Sequence, residues 1–207
     1  MGLVIFSPEK IHQKLLVFFL IFILNSQNLL AQYPSSLSEE DRTFLEKIQR
    51  DSFAYFVKFS NPKTGLVFDS SSPGAPSSIA ATGFALAAYG IAQKHGWIGY
   101  RQAYEIIDKT LKTLETKAAR RNGFYYHFID SVTGKRIWSS ELSSIDTALL
   151  IAGVLLAGQY FKGNIEKRAQ KLYESIDWQW MLNGSFLLCH GWRPESGFLP
   201  NYWDMYS

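Results

Sequence analysis

The sequence predicts an all-α fold, an incomplete (α/α)6 barrel or toroid with short β-hairpins in the loops at one end. Its helical segments alternate between two kinds. Some have one apolar and one charged face, and the others are apolar nearly all round. An outer ring of amphipathic helices around an inner ring of buried helices would produce this alternation. Six helical hairpins close such a ring, and the segments found here account for nearly half of it.

Three segments have the amphipathic pattern, at residues 38–59, 100–119 and 164–176. Ser38 is placed to cap the first of them, where acidic residues follow that complement the helix dipole. The predicted apolar face of this first helix consists of Phe44, Leu45, Ile48 and Tyr55.

Two segments lack a polar face, at residues 77–92 and 143–160, and such helices are buried on both sides. The longest apolar run in the second, residues 148–158, is too short to cross a bilayer. Each segment opens on a similar Ser-rich string, at 77–82 and at 143–148, which indicates an internal repeat of about 60 residues.

Turn-rich loops precede the inner helices. They lie at residues 61–69, 123–138 and 189–200, and the second is predicted to form a β-hairpin because apolar and polar residues alternate around a turn. A further inner helix is predicted to begin near Asn201. All three loops should meet at one end of the ring, where polar and aromatic groups would converge.

The N-terminus is predicted to be a signal peptide covering residues 1–31. Lys10 and Lys14 precede an apolar run at residues 15–24, and a small residue, Ala31, marks the cleavage site. The run is shorter than the roughly 20 residues that a membrane-spanning helix needs. We therefore expect an exported protein, periplasmic or extracellular, with no membrane segment after cleavage.

Composition excludes several classes of function. The net charge of +3 comes from scattered side chains and forms no basic stripe, so nucleic acid is not an expected partner. Cys189, the single cysteine, cannot form an internal disulfide. No zinc-ligand spacing, phosphate-binding glycine loop or nucleophile elbow occurs, so neither a metal nor another cofactor is expected.

Three carboxylates are candidate catalytic groups, because glycosidases use a pair of carboxyl groups around the scissile bond. Asp146 lies in the first turn of the second inner helix, Glu141 lies just before it, and Asp204 lies near the start of the predicted third. Helix capping is the alternative interpretation for Asp146, which follows Ser143 at capping-box spacing, and Asp204 has the same spacing from Asn201.

The third loop concentrates the side chains that bind sugars. Aromatic rings offer flat apolar faces to pyranose rings, while Arg and His donate hydrogen bonds to hydroxyls. Simple packing at the end of the barrel is the alternative interpretation for the tryptophans. The candidate substrate-binding residues are His190, Trp192, Arg193, Tyr202 and Trp203, with His127 of the second loop as a further contact.

Three strings resemble the glucoamylase-like family that includes bacterial endo-β-1,2-glucanases. They are residues 140–147 (SELSSIDT), 191–198 (GWRPESGF) and 201–207 (NYWDMYS). The resemblance runs from about Leu37 to the end of the sequence. It implies an (α/α)6 barrel, with residues 32–207 as the N-terminal half of a catalytic domain, and hydrolysis of a β-glucan with inversion.

The resemblance also implies roles for individual residues. A glutamate important to activity would follow the position of Ser207. The residues that it places at the substrate subsite are Glu141 and Asp146, lined by Trp192, Arg193, Tyr202, Trp203 and Asp204.

Two alternative functions remain open at the level of sequence. A polysaccharide lyase on the same fold would use a Tyr or His base, with positive charge to neutralise a uronate. A non-catalytic scaffold of helical hairpins that binds carbohydrate or protein would also alternate two kinds of helix. The sequence predicts an oligosaccharide or polysaccharide partner and leaves the oligomeric state open.

Overall fold

A computed structural model describes residues 37–204, so the predicted signal peptide lies outside the described residues. The chain divides into two compact units, Met1–Lys47 and Ile48–Ser207. The division falls within helix α1 (Glu39–Lys58). Ser38 caps this helix as predicted, because its Oγ accepts a hydrogen bond from the Asp41 amide at 3.0 Å.

The predicted apolar face of α1 is only partly buried. Phe44 and Leu45, in the first unit, are exposed. In the second unit Ile48 is exposed as well, Tyr55 is partly buried, and Phe53 is the buried residue of the helix. The amphipathic pattern therefore identified the helix but not the residue that anchors it.

The other helices agree with the prediction to within a few residues at each end. The short α6 was not predicted, because it is too short to show a periodic pattern. Their bounds are α2 (Ile79–Lys94), α3 (Tyr100–Thr116), α4 (Ser144–Phe161), α5 (Gly163–Glu174) and α6 (Trp178–Leu182).

Helices α2 and α4 pack directly on one another, and glycines allow their backbones to approach. A Cβ on Gly153 would lie 1.9 Å from the carbonyl oxygen of Gly83, and a Cβ on Gly83 would lie 2.5 Å from that of Leu149. Helix α4 is long and apolar enough for a membrane span by composition, but 56% of it is buried inside the protein. Burial of this extent is usual for a core helix.

Each core helix has exposed apolar side chains on one side. Phe84 and Ile91 of α2 are exposed, and so are Ile145 and Leu156 of α4. The outer helices behave as predicted: α3 buries Ile107 and Leu111, among others, and α5 buries Ile165, Ala169 and Leu172.

The loops contain short strands in three small antiparallel sheets, within the part of the chain that is described. Strand β1 pairs with β4, β2 pairs with β3, and β5 pairs with β6, which in turn pairs with β7. The strands are β1 (Ser77–Ser78), β2 (Arg120–Arg121), β3 (Phe124–Tyr125), β4 (Phe128–Ile129), β5 (Leu142–Ser143), β6 (Gly191–Arg193) and β7 (Gly197–Phe198).

The second loop differs from the predicted hairpin. Strand β3 pairs with β2, which precedes it in the chain, and β4 pairs with β1, which directly precedes α2. Only the turn at residues 130–134 closes as expected, with a bridge between Ile129 and Arg136. Because these pairings connect different loops, the three loops meet at the N-terminal ends of α2 and α4, as predicted.

The internal repeat is real, but its register differs by one residue from the alignment of the two Ser-rich strings. Ser78 caps α2 and Ser143 caps α4, each through its side-chain oxygen. Four residues later, the hydroxyls of Thr82 and Thr147 each accept a backbone amide from the preceding loop at 3.1 Å. Asp146 therefore corresponds to Ala81 in the first repeat.

The predicted helix near Asn201 does not begin among the described residues. Residues 201–204 are not helical, and Tyr202 forms an antiparallel bridge with Cys189. The pairing with the third loop holds this segment extended. Asp204 is therefore not in the first turn of a helix.

Candidate functional site

Three side chains from the second loop and α4 meet where the loops converge. His127 precedes β4 and Glu141 precedes β5, and the His127 amide donates to the Glu141 carbonyl at 2.9 Å. The imidazole Nδ1 lies 3.1 Å from Glu141 Oε1, and Nε2 lies 3.6 Å from Asp146 Oδ1. One imidazole thus lies between two carboxylates.

Asp146 serves two purposes at once. Its amide donates to Ser143 Oγ at 3.2 Å, and the same hydroxyl donates to Asp146 Oδ2 at 2.5 Å. This is the capping arrangement predicted as the alternative interpretation. The other carboxylate oxygen faces His127, so capping orients the side chain and leaves one oxygen for the site.

Glu141 is held as an anion. Arg193 Nη2 lies 3.5 Å from its Oε2, and only 19% of the glutamate side chain is exposed. The hydrogen bond from His127 outweighs burial and lowers the pKa of Glu141 to about 2. The same hydrogen bond, with the charge of Asp146 nearby, raises the pKa of His127 despite its burial.

The electrostatics limit what each member of this cluster can do. A carboxyl group with so low a pKa is deprotonated at neutral pH, so Glu141 can stabilise positive charge but does not donate a proton, and the low pKa also makes it a weak base. Both ring nitrogens of His127, which was predicted to contact the substrate, face carboxylates, those of Glu141 and Asp146.

The cluster also has donor atoms suited to a cation. Within residues 37–204, His127, Glu141 and Asp146 form a group whose potential ligand atoms all lie within 4.8 Å of one another. The guanidinium of Arg193 competes for the glutamate, however. The expectation of no metal was based on standard ligand spacings in the sequence, which do not detect ligands that a loop and the following helix bring together.

Trp203 and His190 lie beside the same end of α4. The indole Nε1 of Trp203 donates to Ser144 Oγ at 2.8 Å, and its ring stacks on His190 with centroids 3.9 Å apart. Ser144 is the first residue of α4, so this pair is anchored within two residues of Asp146. Tyr202 directly precedes Trp203 in the chain, and its hydroxyl accepts a hydrogen bond from Asn183 at 3.2 Å.

The remaining candidates lie elsewhere. Trp192 faces away from Glu141, because side chains alternate along β6 and Arg193 takes the opposite face. Its ring packs on Trp180 at 5.8 Å and under the guanidinium of Arg121 at 4.4 Å. Asp204 is exposed and follows Tyr202, which forms a bridge with Cys189.

Sequence reasoning missed the connections within the site. The contact between Glu141 and Arg193 joins two loops, and the link between Trp203 and Ser144 joins a loop to a helix. The opposite orientations of Trp192 and Arg193 could have been read from strand alternation, had the strand been assigned.

The sequence and the fold of this chain were compared with those of known proteins. No protein-family model matches the chain. The chain is 28% identical over 178 residues to an exo β-1,2-glucooligosaccharide sophorohydrolase of Parabacteroides distasonis, a match that covers 78% of this chain and 24% of that protein. The resemblance noted in the sequence is thus seen in a curated protein as well.

Two crystal structures share the fold. A β-1,2-glucanase from Parabacteroides distasonis matches with a TM-score of 0.70 and 26% identity, over 80% of this chain and 25% of that one. A candidate glucoamylase from Bacteroides uniformis matches with a TM-score of 0.70 and 24% identity, over 79% of this chain and 42% of that one. The chain resembles part of a glucoamylase-like protein and spans less than half the length of each of these relatives.

Proposed function

We propose that this chain is part of a glucoamylase-like glycoside hydrolase that cleaves a β-1,2-linked glucan, with endo specificity. The observation that carries the proposal is the pair of carboxylates, Glu141 and Asp146, joined by His127 where the loops converge. The activities named for the relatives support the choice of substrate. The proposed architecture is the (α/α)6 barrel, of which these helices form a part.

Hydrolysis of a glycosidic bond needs a proton donor at the leaving oxygen and a carboxylate on the other side of the sugar. Glu141, with its low pKa, suits the second role and not the first. It would activate water or stabilise the positive charge that develops on the sugar ring. Asp146 would help to keep the imidazole of His127 in place, and His127 would keep Glu141 ionised.

Glu141 and Asp146 would act on the same side of the substrate. Their nearest oxygens lie within 4.8 Å, and the imidazole of His127 contacts both side chains. Inverting enzymes need carboxyl groups roughly 6.5–9.5 Å apart so that a water molecule fits between them and the sugar. For an inverting mechanism the proton donor would therefore be a third group, either Asp204 or the glutamate that the family resemblance places after the position of Ser207.

Sugar binding would involve the residues around the cluster. Arg193 can reach a hydroxyl while it holds Glu141, because 42% of its side chain is exposed. Trp203, with His190 behind it, presents an aromatic surface near the first turn of α4. Tyr202, which is adjacent to Trp203 in the sequence, offers a further polar group for the sugar. Export to the periplasm or beyond, directed by residues 1–31, would bring the enzyme to such a glucan.

The test is hydrolysis of linear β-1,2-glucan by the full-length protein, with β-1,3- and β-1,4-glucans as comparison substrates. We expect reducing sugar to form from the β-1,2-linked polymer, and we expect NMR of fresh product to show the inverted anomer. Unsaturated products from uronate polymers, detected by ultraviolet absorbance, would instead identify a lyase. Binding without turnover of any polymer would favour the scaffold alternative.

A further inference from the structure

Trp138 is an exposed aromatic residue beside the carboxylate cluster. Its side chain stands on the loop between β4 and β5, and the residue is 69% exposed. The edge of its ring meets Phe128, with centroids 5.5 Å apart, and Phe128 stacks on His127 at 3.9 Å. A single ring therefore separates the indole from the imidazole that joins Glu141 and Asp146.

The backbone at this position is strained. Trp138 has a φ of 57° and Ser139 a φ of 52°, so two consecutive residues with side chains adopt the left-handed conformation. This conformation is unfavourable for residues other than glycine, asparagine and aspartate. Strain of this kind persists only where the surrounding structure imposes it, and it is often found at ligand sites.

Several contacts impose the conformation of the loop. Arg136 Nε donates to the Ser140 carbonyl at 2.5 Å, and the Ser140 hydroxyl donates to the Phe128 carbonyl at 3.0 Å. The Ile137 amide donates to the same Phe128 carbonyl at 3.3 Å. Arg136 in turn forms a two-pronged ion pair with Glu195 of the third loop. The loop is held at both ends, so the backbone that carries the indole is fixed in position.

A single exposed ring suits a sugar better than a protein partner. Protein interfaces use contiguous apolar patches, whereas the residues next to the Ile137–Trp138 pair, Lys135, Arg136 and Ser139, are polar or charged. The hydroxyls of a β-linked glucose unit are equatorial, which leaves apolar C–H groups on both faces of its ring. The flat face of an indole packs well against such a surface.

We propose that Trp138 is a stacking platform that binds a glucosyl unit of the substrate near the carboxylate cluster. The proposal rests on the proposed function and extends it, because it names a substrate-binding residue on the second loop. The ring would position the glucan chain relative to Glu141. Loss of the Trp138 ring would weaken binding of the glucan. It would change the rate of glycosidic bond cleavage only by changing the position of the substrate.

The test measures binding of linear β-1,2-linked gluco-oligosaccharides to the full-length protein by calorimetry. The Glu141→Gln background prevents hydrolysis during the titration. We expect Trp138→Ala to raise Kd by about tenfold, as stacking interactions of this size predict, and Trp138→Phe to retain most of the affinity. Tyr173→Ala, which removes another exposed aromatic ring on α5, serves as the control and should leave Kd unchanged.

A second variant separates a binding role from a packing role. Glycine tolerates a positive φ, so Trp138→Gly should keep or raise Tm while it weakens binding as Trp138→Ala does. A clear fall in Tm with unchanged Kd would identify Trp138 as a packing residue and overturn the proposal.

The outcomes also separate this proposal from the proposed function. Unchanged Kd for Trp138→Ala, in a protein whose unmodified form hydrolyses β-1,2-glucan, would overturn the platform alone. Failure of the unmodified protein to bind or cleave any glucan would overturn both.

Discussion

The side chain and the backbone of His127 both contact Glu141. The imidazole Nδ1 lies 3.1 Å from the Oε1 of Glu141, and the His127 amide donates to the Glu141 carbonyl at 2.9 Å. The first contact orients the carboxylate of Glu141, and the second fixes the backbone that carries it. The carboxylate is therefore held ready as an anion before any substrate arrives.

Replacement of Glu141 with glutamine should abolish most of the activity. The amide keeps the shape of the side chain but loses the charge that acts as base or stabilises the transition state. We expect kcat on β-1,2-glucan to fall by about 10²–10⁴-fold. Glu174→Gln, on the exposed side of α5, is the matched control and should keep full activity. Equal rates for the two variants would remove Glu141 from the mechanism.

The ion pair makes stability depend on pH in a defined window. The folded state lowers the pKa of Glu141 from 4.5 to about 2, so its contribution is present above pH 4.5 and is lost as the pH falls towards 2. The folded state raises the pKa of His127 above 6.5, so its contribution is present below pH 6.5 and is lost as the pH rises through the folded value.

Thermal denaturation of the unmodified protein and His127→Gln checks this window. A hydrogen bond between charged groups contributes about 2 kcal/mol, which corresponds to a Tm difference of roughly 4–8 °C for a chain of this size. We expect that difference near pH 5.5 and a smaller one at pH 3 and pH 9. A difference independent of pH would show that the pair does not titrate as described.

The two N-cap serines should differ in their effect on activity. Ser143→Ala and Ser78→Ala each remove a capping hydrogen bond and should each cost about 1 kcal/mol of unfolding free energy. Only Ser143 also donates to a carboxylate, that of Asp146, because Ala81 occupies the corresponding place in the first repeat. Hydrolysis assays should show reduced kcat for Ser143→Ala alone. Equal kcat for the two variants would show that the hydrogen bond from Ser143 to Asp146 does not contribute to activity.

The crossing of α2 and α4 should tolerate no side chain at Gly153. A Cβ there would meet the Gly83 carbonyl at 1.9 Å, so Gly153→Ala must push the helices apart and should cost about 1–3 kcal/mol or more. Gly90→Ala is the matched control in α2, because its Cβ would make ordinary contact with Tyr160 at 3.6 Å. Helix propensity predicts that Gly90→Ala is neutral or stabilising by up to about 1 kcal/mol.

Chemical denaturation of the two glycine variants measures their free energies of unfolding. A large loss of stability for Gly153→Ala with none for Gly90→Ala would confirm that the close crossing sets the position of α4, and with it Asp146. Similar midpoints for both variants would show that the helices can separate without cost.

Much of the fold could be predicted because the signals for helices are local. Apolar periodicity identified α2 to α5 within a few residues, and Ser143 with Asp146 had the spacing of a capping box. Strand pairing could not be predicted in the same way, because β4 finds its partner, β1, in a different loop. A pattern of alternation does not identify the partner strand.

The amino-acid sequence determined which segments are helices, where they are capped, which faces are apolar and which residue types gather in the loops. The tertiary structure alone decided which of those residues meet. His127 and Glu141 lie on the loop before α4, Asp146 lies in the first turn of α4, and Arg193 joins them from the third loop. Helix formation depends on neighbours within a few residues, whereas the pKa of Glu141 depends on groups that only the packing of the loops brings within hydrogen-bonding distance.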